Sequence, residues 1–185
     1  MTKKPMLILL VCLLVLVAGT VNKVQAATSH EIKDIIVKTA VSMGVDPCVV
    51  LSIAKQESNF QNHKQNASGA VGVFQLMPST ARKIGVNPYD LNDNIKGGIM
   101  YYQMMYKKFG SMDLALAAYN AGPGNVAKYK GVPPFRETHR FINTIKTNAK
   151  TYQNDPLVIK HTTAAAAKEN FSDDDNAIIV PENTL

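Results

Sequence analysis

In the stretch Leu51-Ser-Ile-Ala-Lys-Gln-Glu-Ser-Asn-Phe60, the carboxylate of Glu57 stands in an odd place. At helical spacing Val49, Val50, Ile53 and Ala54 form one apolar stripe, and Glu57 falls one turn further along it. A carboxyl group on an inward-facing stripe loses solvation, which disfavours its charged form and raises its pKa. The negative end of the helix dipole, close to Glu57, pushes the same way. A carboxylic acid that keeps its proton near neutral pH can donate it to a leaving oxygen and later take one back, as glycosidic cleavage requires. A glutamate at a helix end is, however, commonly just solvated, so Glu57 by itself defines no activity.

Two further segments follow in order: Gly72-Val-Phe-Gln-Leu-Met-Pro-Ser-Thr80 and Ala117-Ala-Tyr-Asn-Ala-Gly-Pro-Gly124. Other chemistries find less support. His30, His63, His139 and His161 are scattered without ligand spacing, so neither a metal nor any other cofactor is expected. No Ser–His–acid order and no phosphate loop occurs. Cys48, among Pro47, Val49 and Val50, reads as a small buried apolar residue rather than a reactive thiol.

The elements that must position these groups read as a succession of helices. Thr28-x-x-Glu31 has the form of a capping box, and Ile32, Ile35, Ile36, Thr39 and Met43 follow at helical spacing until Gly44. Asp46-Pro47 opens a second helix, which carries Val49 to Glu57. A third is expected over 94–109, a short fourth over 113–121, and a last over 137–152 with Phe141, Ile145 and Tyr152 on one side. Between the second and third lies a loop bearing glycine and asparagine, in which Gly72 to Leu76 is the one candidate for a brief strand. The fold class is therefore mainly α, with at most a minor β element.

The chain has 185 residues and a net charge of +6. Its start reads as a secretory signal over 1–26: Lys3 and Lys4, an apolar run from Met6 to Ala18, then Val24-Gln25-Ala26 as a cleavage site. The run is short for a membrane span, so no stable span is expected after cleavage, and the protein is expected to be exported. Only Cys48 would remain, too few for an intramolecular disulfide. Residues 27–154 form the expected domain, and residues 28–154 carry fifteen Lys/Arg against eight Asp/Glu. A basic body suits an anionic polymer, and export without a binding motif argues against nucleic acid. Residues 155–185, with two Lys against six Asp/Glu, read as a flexible acidic tail.

Taken together, "QESNF", "GAVGVFQLMPSTA" and "LALAAYNAGPGNV" resemble the three signature segments of the lytic transglycosylases related to the soluble lytic transglycosylase (SLT) catalytic domain. The likeness covers residues 32–150 and implies a lysozyme-like fold with a groove for a peptidoglycan glycan strand. It implies cleavage of the MurNAc–GlcNAc β-1,4 bond with Glu57 as the single acid/base, and ring closure to a 1,6-anhydro product. No second carboxylate is then needed, and among Glu31, Asp34, Asp46, Asp90, Asp93, Asp113 and Glu137 none shares the apolar stripe of Glu57. By the same likeness Gln75 lines the groove and Tyr119 orients the acid. Asn120 ties the loop backbone to the helix end, while Ser58 contacts substrate or caps backbone groups. Met77 and Phe74 line the groove or join the core, and Gly69 and Gly72 let the backbone pass close to the sugar. The chain departs from the family where Asn66 replaces a serine, still able to bond an N-acetyl group, and in Glu137-Thr-His-Arg-Phe141, where Phe141 replaces a tyrosine and His139 an arginine. Small members of this type resemble those that serve secretion, conjugation or pilus machines, components of which are the expected protein partners.

Overall fold

The computed structural model describes residues 26–174, so the expected signal segment, apart from Ala26, lies outside the described residues. Eight helices occur among them: α1 (Ser29–Ser42), α2 (Pro47–Ser58), α3 (Pro78–Ile84), α4 (Leu91–Phe109), α5 (Met112–Ala121), α6 (Pro123–Tyr129), α7 (Arg136–Tyr152) and α8 (Pro156–Asp174). The β content among the described residues is two isolated bridges, Gln65 with Val71 and Val71 with Leu76. The mainly helical reading holds, and the brief pairing expected near Gly72 to Leu76 is one of these bridges.

Local chemistry sets the helix starts. In the capping box of α1, the Glu31 backbone N–H donates to Thr28 Oγ1 at 3.2 Å and the Thr28 N–H donates to the Glu31 carboxylate at 2.7 Å. Asp46 accepts from the Cys48 N–H at 2.8 Å ahead of α2, and Asp90 accepts from the Asp93 N–H at 2.9 Å ahead of α4. The Asp90 cap explains why α4 starts three residues before the expected Asn94. The short helices α3 and α6 were not expected from sequence. Each has seven residues and begins on a proline, too short for an apolar period to declare itself.

Helix α2 is the centre of the molecule. Val49, Val50, Leu51, Ile53 and Ala54 are all buried, and α2 packs along most of α7 while α1 covers another side. A helix apolar on nearly every side belongs in a core. Each fully buried Leu or Ile contributes roughly 1.5–3 kcal/mol, which together exceeds the cost of crowding one carboxyl at the helix end. Helices α4 and α5 form a second packed pair, and α5 also touches α6 and α7.

One expectation is corrected. The chain does not turn loose at Asp155: the Asp155 carboxylate accepts from the Leu157 N–H at 2.9 Å, and α8 follows immediately. Val158 is buried, and His161 Nε2 lies 2.8 Å from Asp34 of α1, whose other oxygen is 2.7 Å from Lys38 Nζ. The run Ala164–Ala167, polar only in its surroundings, is a strong helix former. Residues 175–185, with the apolar Ala177–Val180, lie outside the described residues.

Candidate active site

Glu57 occupies the last turn of α2, half-buried, and desolvation pushes its pKa up to about 7. The charge of Lys64 opposes that rise and the charge of Glu137 adds to it. Glu31 and Asp34 behave in the opposite way. The hydrogen bonds of Thr28 hold Glu31 below the usual carboxylate range, and those of Lys38 and His161 hold Asp34 at about 2. These two acids border the hollow between α1 and α8, so neither carboxyl there keeps a proton at neutral pH. A proton donor belongs at Glu57.

The loop from 61 to 76 is folded against this helix end by polar bonds made inside the protein. Asn94 of α4 is fully buried. Its Oδ1 accepts from the Phe74 N–H at 2.9 Å, while its Nδ2 donates to the carbonyls of Val71 at 2.9 Å and Pro88 at 2.8 Å. Gly72 lies against that amide with a φ of +79°, and a Cβ there would stand 2.4 Å from Asn94 Nδ2. Gly98 of α4 is equally constrained: an added Cβ would come within 2.2 Å of the Phe74 ring. Phe74 is accordingly a core residue.

A cavity of about 550 Å³ opens beside the loop, lined by Gln75, Met77, Tyr101, Met104, Tyr119 and Asn120 among others. Met77 and Met104 are exposed, so its wall is soft, apolar and available. Tyr119 is held between Tyr101, at 5.3 Å between ring centroids, and Phe141, stacked at 6.5 Å and 10°. The ring of Phe141 thus packs where the expected tyrosine would stand. Burial raises the Tyr119 pKa well above the ordinary phenol value, and the Glu57 charge contributes, which places phenol and acid within electrostatic reach.

Four of the residues expected at the site, Gln75, Met77, Tyr119 and Asn120, line this cavity. Their bonds differ from expectation. The Tyr119 hydroxyl donates to the Phe74 carbonyl at 2.9 Å, so its one proton supports the loop and is not directed to the acid. Gln75 Nε2 donates to the carbonyls of Lys64 at 3.0 Å and Gly72 at 2.9 Å, which leaves Oε1 as the free end of its amide. Asn120 Oδ1 accepts from Thr138 of α7 at 2.9 Å, a tie between helices rather than to loop backbone. Ser58 is buried, donates to the Val73 carbonyl at 2.8 Å and accepts from the Gln61 N–H at 3.1 Å. Of its two expected roles, the structure favours backbone capping. Asn66 Oδ1 accepts from the Ser68 and Ala70 N–H groups at 2.9 and 3.0 Å, an Asx turn that shapes the loop away from the cavity lining.

Sequence reasoning missed Asn94, Lys64 and Tyr101. Asn94 reads as a helix-start residue, and nothing local marks it as the knot of a loop twenty residues earlier. Glu137 does not share the α2 stripe, yet its charge reaches Glu57 from α7, the helix α2 packs on. No group of three or more His, Cys, Asp or Glu able to hold a metal ion occurs among the described residues.

Comparison with known proteins gives the same picture by another route. The family model described as "Transglycosylase SLT domain" matches residues 34–142. A transglycosylase of Enterobacteria phage PRD1 is 36% identical over 93 residues, covering 48% of this chain and 35% of that protein. The soluble lytic murein transglycosylase of Escherichia coli K12 is 31% identical over 120 residues, covering 51% of this chain and 19% of the relative. Among solved structures, an inactive mutant of the lytic transglycosylase Slt from Pseudomonas aeruginosa superposes with a TM-score of 0.60 at 29% identity. That match covers 66% of this chain and 24% of the other. The chain thus spans about a third or less of the length of these relatives. With the signature segments folded around one half-buried glutamate and the family match spanning them all, this chain belongs to the transglycosylase SLT domain family.

Proposed function

We propose that the chain is a peptidoglycan lytic transglycosylase in which Glu57 is the only acid/base. The observation that carries this reading is a glutamate with a pKa of about 7 within electrostatic reach of Tyr119, which lines an apolar cavity that Glu57 itself does not line, while Asp34 and Glu31 are held ionised. In the first step the Glu57 carboxyl gives its proton to the glycosidic oxygen as the C1–O bond of MurNAc breaks. The N-acetyl oxygen of the same sugar stabilises the cationic C1, a role that in two-carboxylate glycosidases falls to the protein. In the second step the Glu57 carboxylate takes the proton of the C6 hydroxyl, and O6 bonds to C1. Protons balance, no water is consumed, and the acid is restored.

The groove lining supports a sugar substrate: Met77, Met104 and Tyr101 offer apolar surface, and the Gln75 amide oxygen can accept from an N-acetyl N–H. Substrate contact is proposed for Gln75, Met77, Tyr119 and Asn120. Ser58 and Asn66 act by shaping the helix end and the loop.

Action on the cell wall implies export, supported by the signal-like residues 1–26 and by the basic body, which suits an anionic wall. No helix among the described residues is long and apolar enough to cross a membrane. A small exported enzyme of this kind fits local opening of the wall for a secretion, conjugation or pilus machine.

Incubation of the protein with purified sacculi and mass analysis of the released muropeptides tests the reading. The expected products are lighter by one water than those of a hydrolytic lysozyme, and Glu57→Gln releases less than about a thousandth as much. Products carrying the extra water would make the protein a hydrolase. Wall binding without release from the wild type would leave a scaffold.

A further inference from the structure

Lys64 makes three bonds at one point of the site. Its ammonium donates to the Glu57 carbonyl at 2.6 Å. Its own carbonyl accepts from the Gly72 N–H at 2.8 Å and from Gln75 Nε2 at 3.0 Å. Helix α2 needs such a partner. Beyond Ser58 the backbone enters left-handed space at Asn59, with φ 53°, and again at Phe60, with φ 63°. The chain therefore leaves the helix axis sharply: the Asn59 N–H still reaches the Lys55 carbonyl and the Gln61 N–H the Ser58 carbonyl, while the Glu57 carbonyl is left for a cation to satisfy. Here the carbonyl is that of the acid itself, and on the far side of Lys64 stand the turn at Gly72 and the groove residue Gln75.

Resting on the proposed acid role of Glu57, we propose that Lys64 is a positioning residue, clamping the acid's helical turn to the groove wall and setting a fixed positive charge beside the carboxyl. The charged groups acting on Glu57 are Lys64 from the loop and Glu137 from α7; from α5 it is faced by Tyr119, a buried phenol. Burial and Glu137 favour the protonated acid, and Lys64 is the group that opposes them. Without that cation the acid would hold its proton more tightly and give it less readily to the glycosidic oxygen in the first step. The clamp and the charge come from one side chain, so geometry and proton affinity of the acid are set together.

Lys64 is exposed, so its replacement leaves the core untouched. The full chain is compared with Lys64→Met, Lys64→Gln, Lys64→Arg and Glu57→Gln on purified peptidoglycan across pH. In Lys64→Met and Lys64→Gln the alkaline limb of kcat/KM moves up by roughly half a pH unit. In Lys64→Met kcat also falls about tenfold, because the helical turn is no longer held. Lys64→Gln, whose amide can still donate, loses less, and Lys64→Arg returns the limb to the wild-type position. Carbon-13 NMR titration of the Glu57 carboxyl reads the same upward shift with no substrate present. A Lys64→Met protein whose profile, kcat and NMR titration all superpose on the wild type overturns the proposal, as does a shift that Lys64→Arg fails to reverse. A wild type that releases nothing from peptidoglycan, while the NMR shift appears as expected, overturns the acid role of Glu57 and leaves the Lys64 contact standing.

Discussion

Glu57 is under two opposed influences, and the balance has a thermodynamic consequence besides the catalytic one. Its folded pKa is raised from 4.5 to about 7, so the folded chain holds this proton more tightly than the unfolded chain. Below about pH 4.5 both states carry the proton and the site is neutral in the balance. As pH rises through 7 the folded state must keep a crowded charge, and stability is lost. Glu57→Gln removes that loss. With screening at a partly open side chain allowed for, the variant is expected to be more stable by on the order of 1–2 kcal/mol above about pH 8 and by nothing near pH 4. Thermal melts of both proteins across this range check it; a gain that does not grow with pH would contradict the burial of the acid. The position of Glu57 was legible from four apolar neighbours at helical spacing. The charges tuning it were not, because Lys64 is brought back to the helix end by a chain that turns through left-handed Asn59 and Phe60, and sequence spacing does not encode such a path.

At the scale of elements, the groove wall depends on close approach between the 71–76 loop and α4. Replacing a helical glycine by alanine ordinarily stabilises by up to about 1 kcal/mol. At Gly98 the sign reverses, because the new methyl would overlap the ring of the fully buried Phe74. Gly98→Ala is expected to cost about 2–3 kcal/mol and to weaken activity with it, as Phe74 carries the carbonyl that holds Tyr119. Urea unfolding measures the first and muropeptide release the second. The cost of the C-terminal helix is also open to test. Asp34 is held at about 2 by Lys38 and His161, so it contributes stability above its unfolded pKa near 4, lost as pH falls through 2. Asp34→Asn should loosen α8 by about 1 kcal/mol at neutral pH, seen as faster amide exchange in residues 157–168, with the difference from wild type vanishing near pH 2. The long helices could be read from their caps and periods. Helices α3 and α6 are too short to show one, and α8 has a single buried apolar residue, Val158, among its described residues, so composition suggested loose chain where alanine propensity and the His161–Asp34 contact make a helix.

At the scale of the whole molecule, the residues of the site come from segments far apart in sequence that share no local signal. Glu57 ends α2, the loop is knotted by Asn94 from α4, Tyr119 rides on α5, and Thr138 and Glu137 come from α7. Three signature segments identify the family because they are the pieces that meet. What they do not carry is the bonding inside the meeting point, where Tyr119 and Gln75 turn their donors toward backbone carbonyls.

Cys48, finally, sits inside the core with its thiol pushed up to about 11 by burial, and no second cysteine stands among the described residues. Nothing in this architecture waits for an oxidant. The described helices dock by apolar contact and by polar ties such as Thr138 to Asn120, none of them a disulfide, so this domain is expected to reach the same native state in a reducing medium as in an oxidising one.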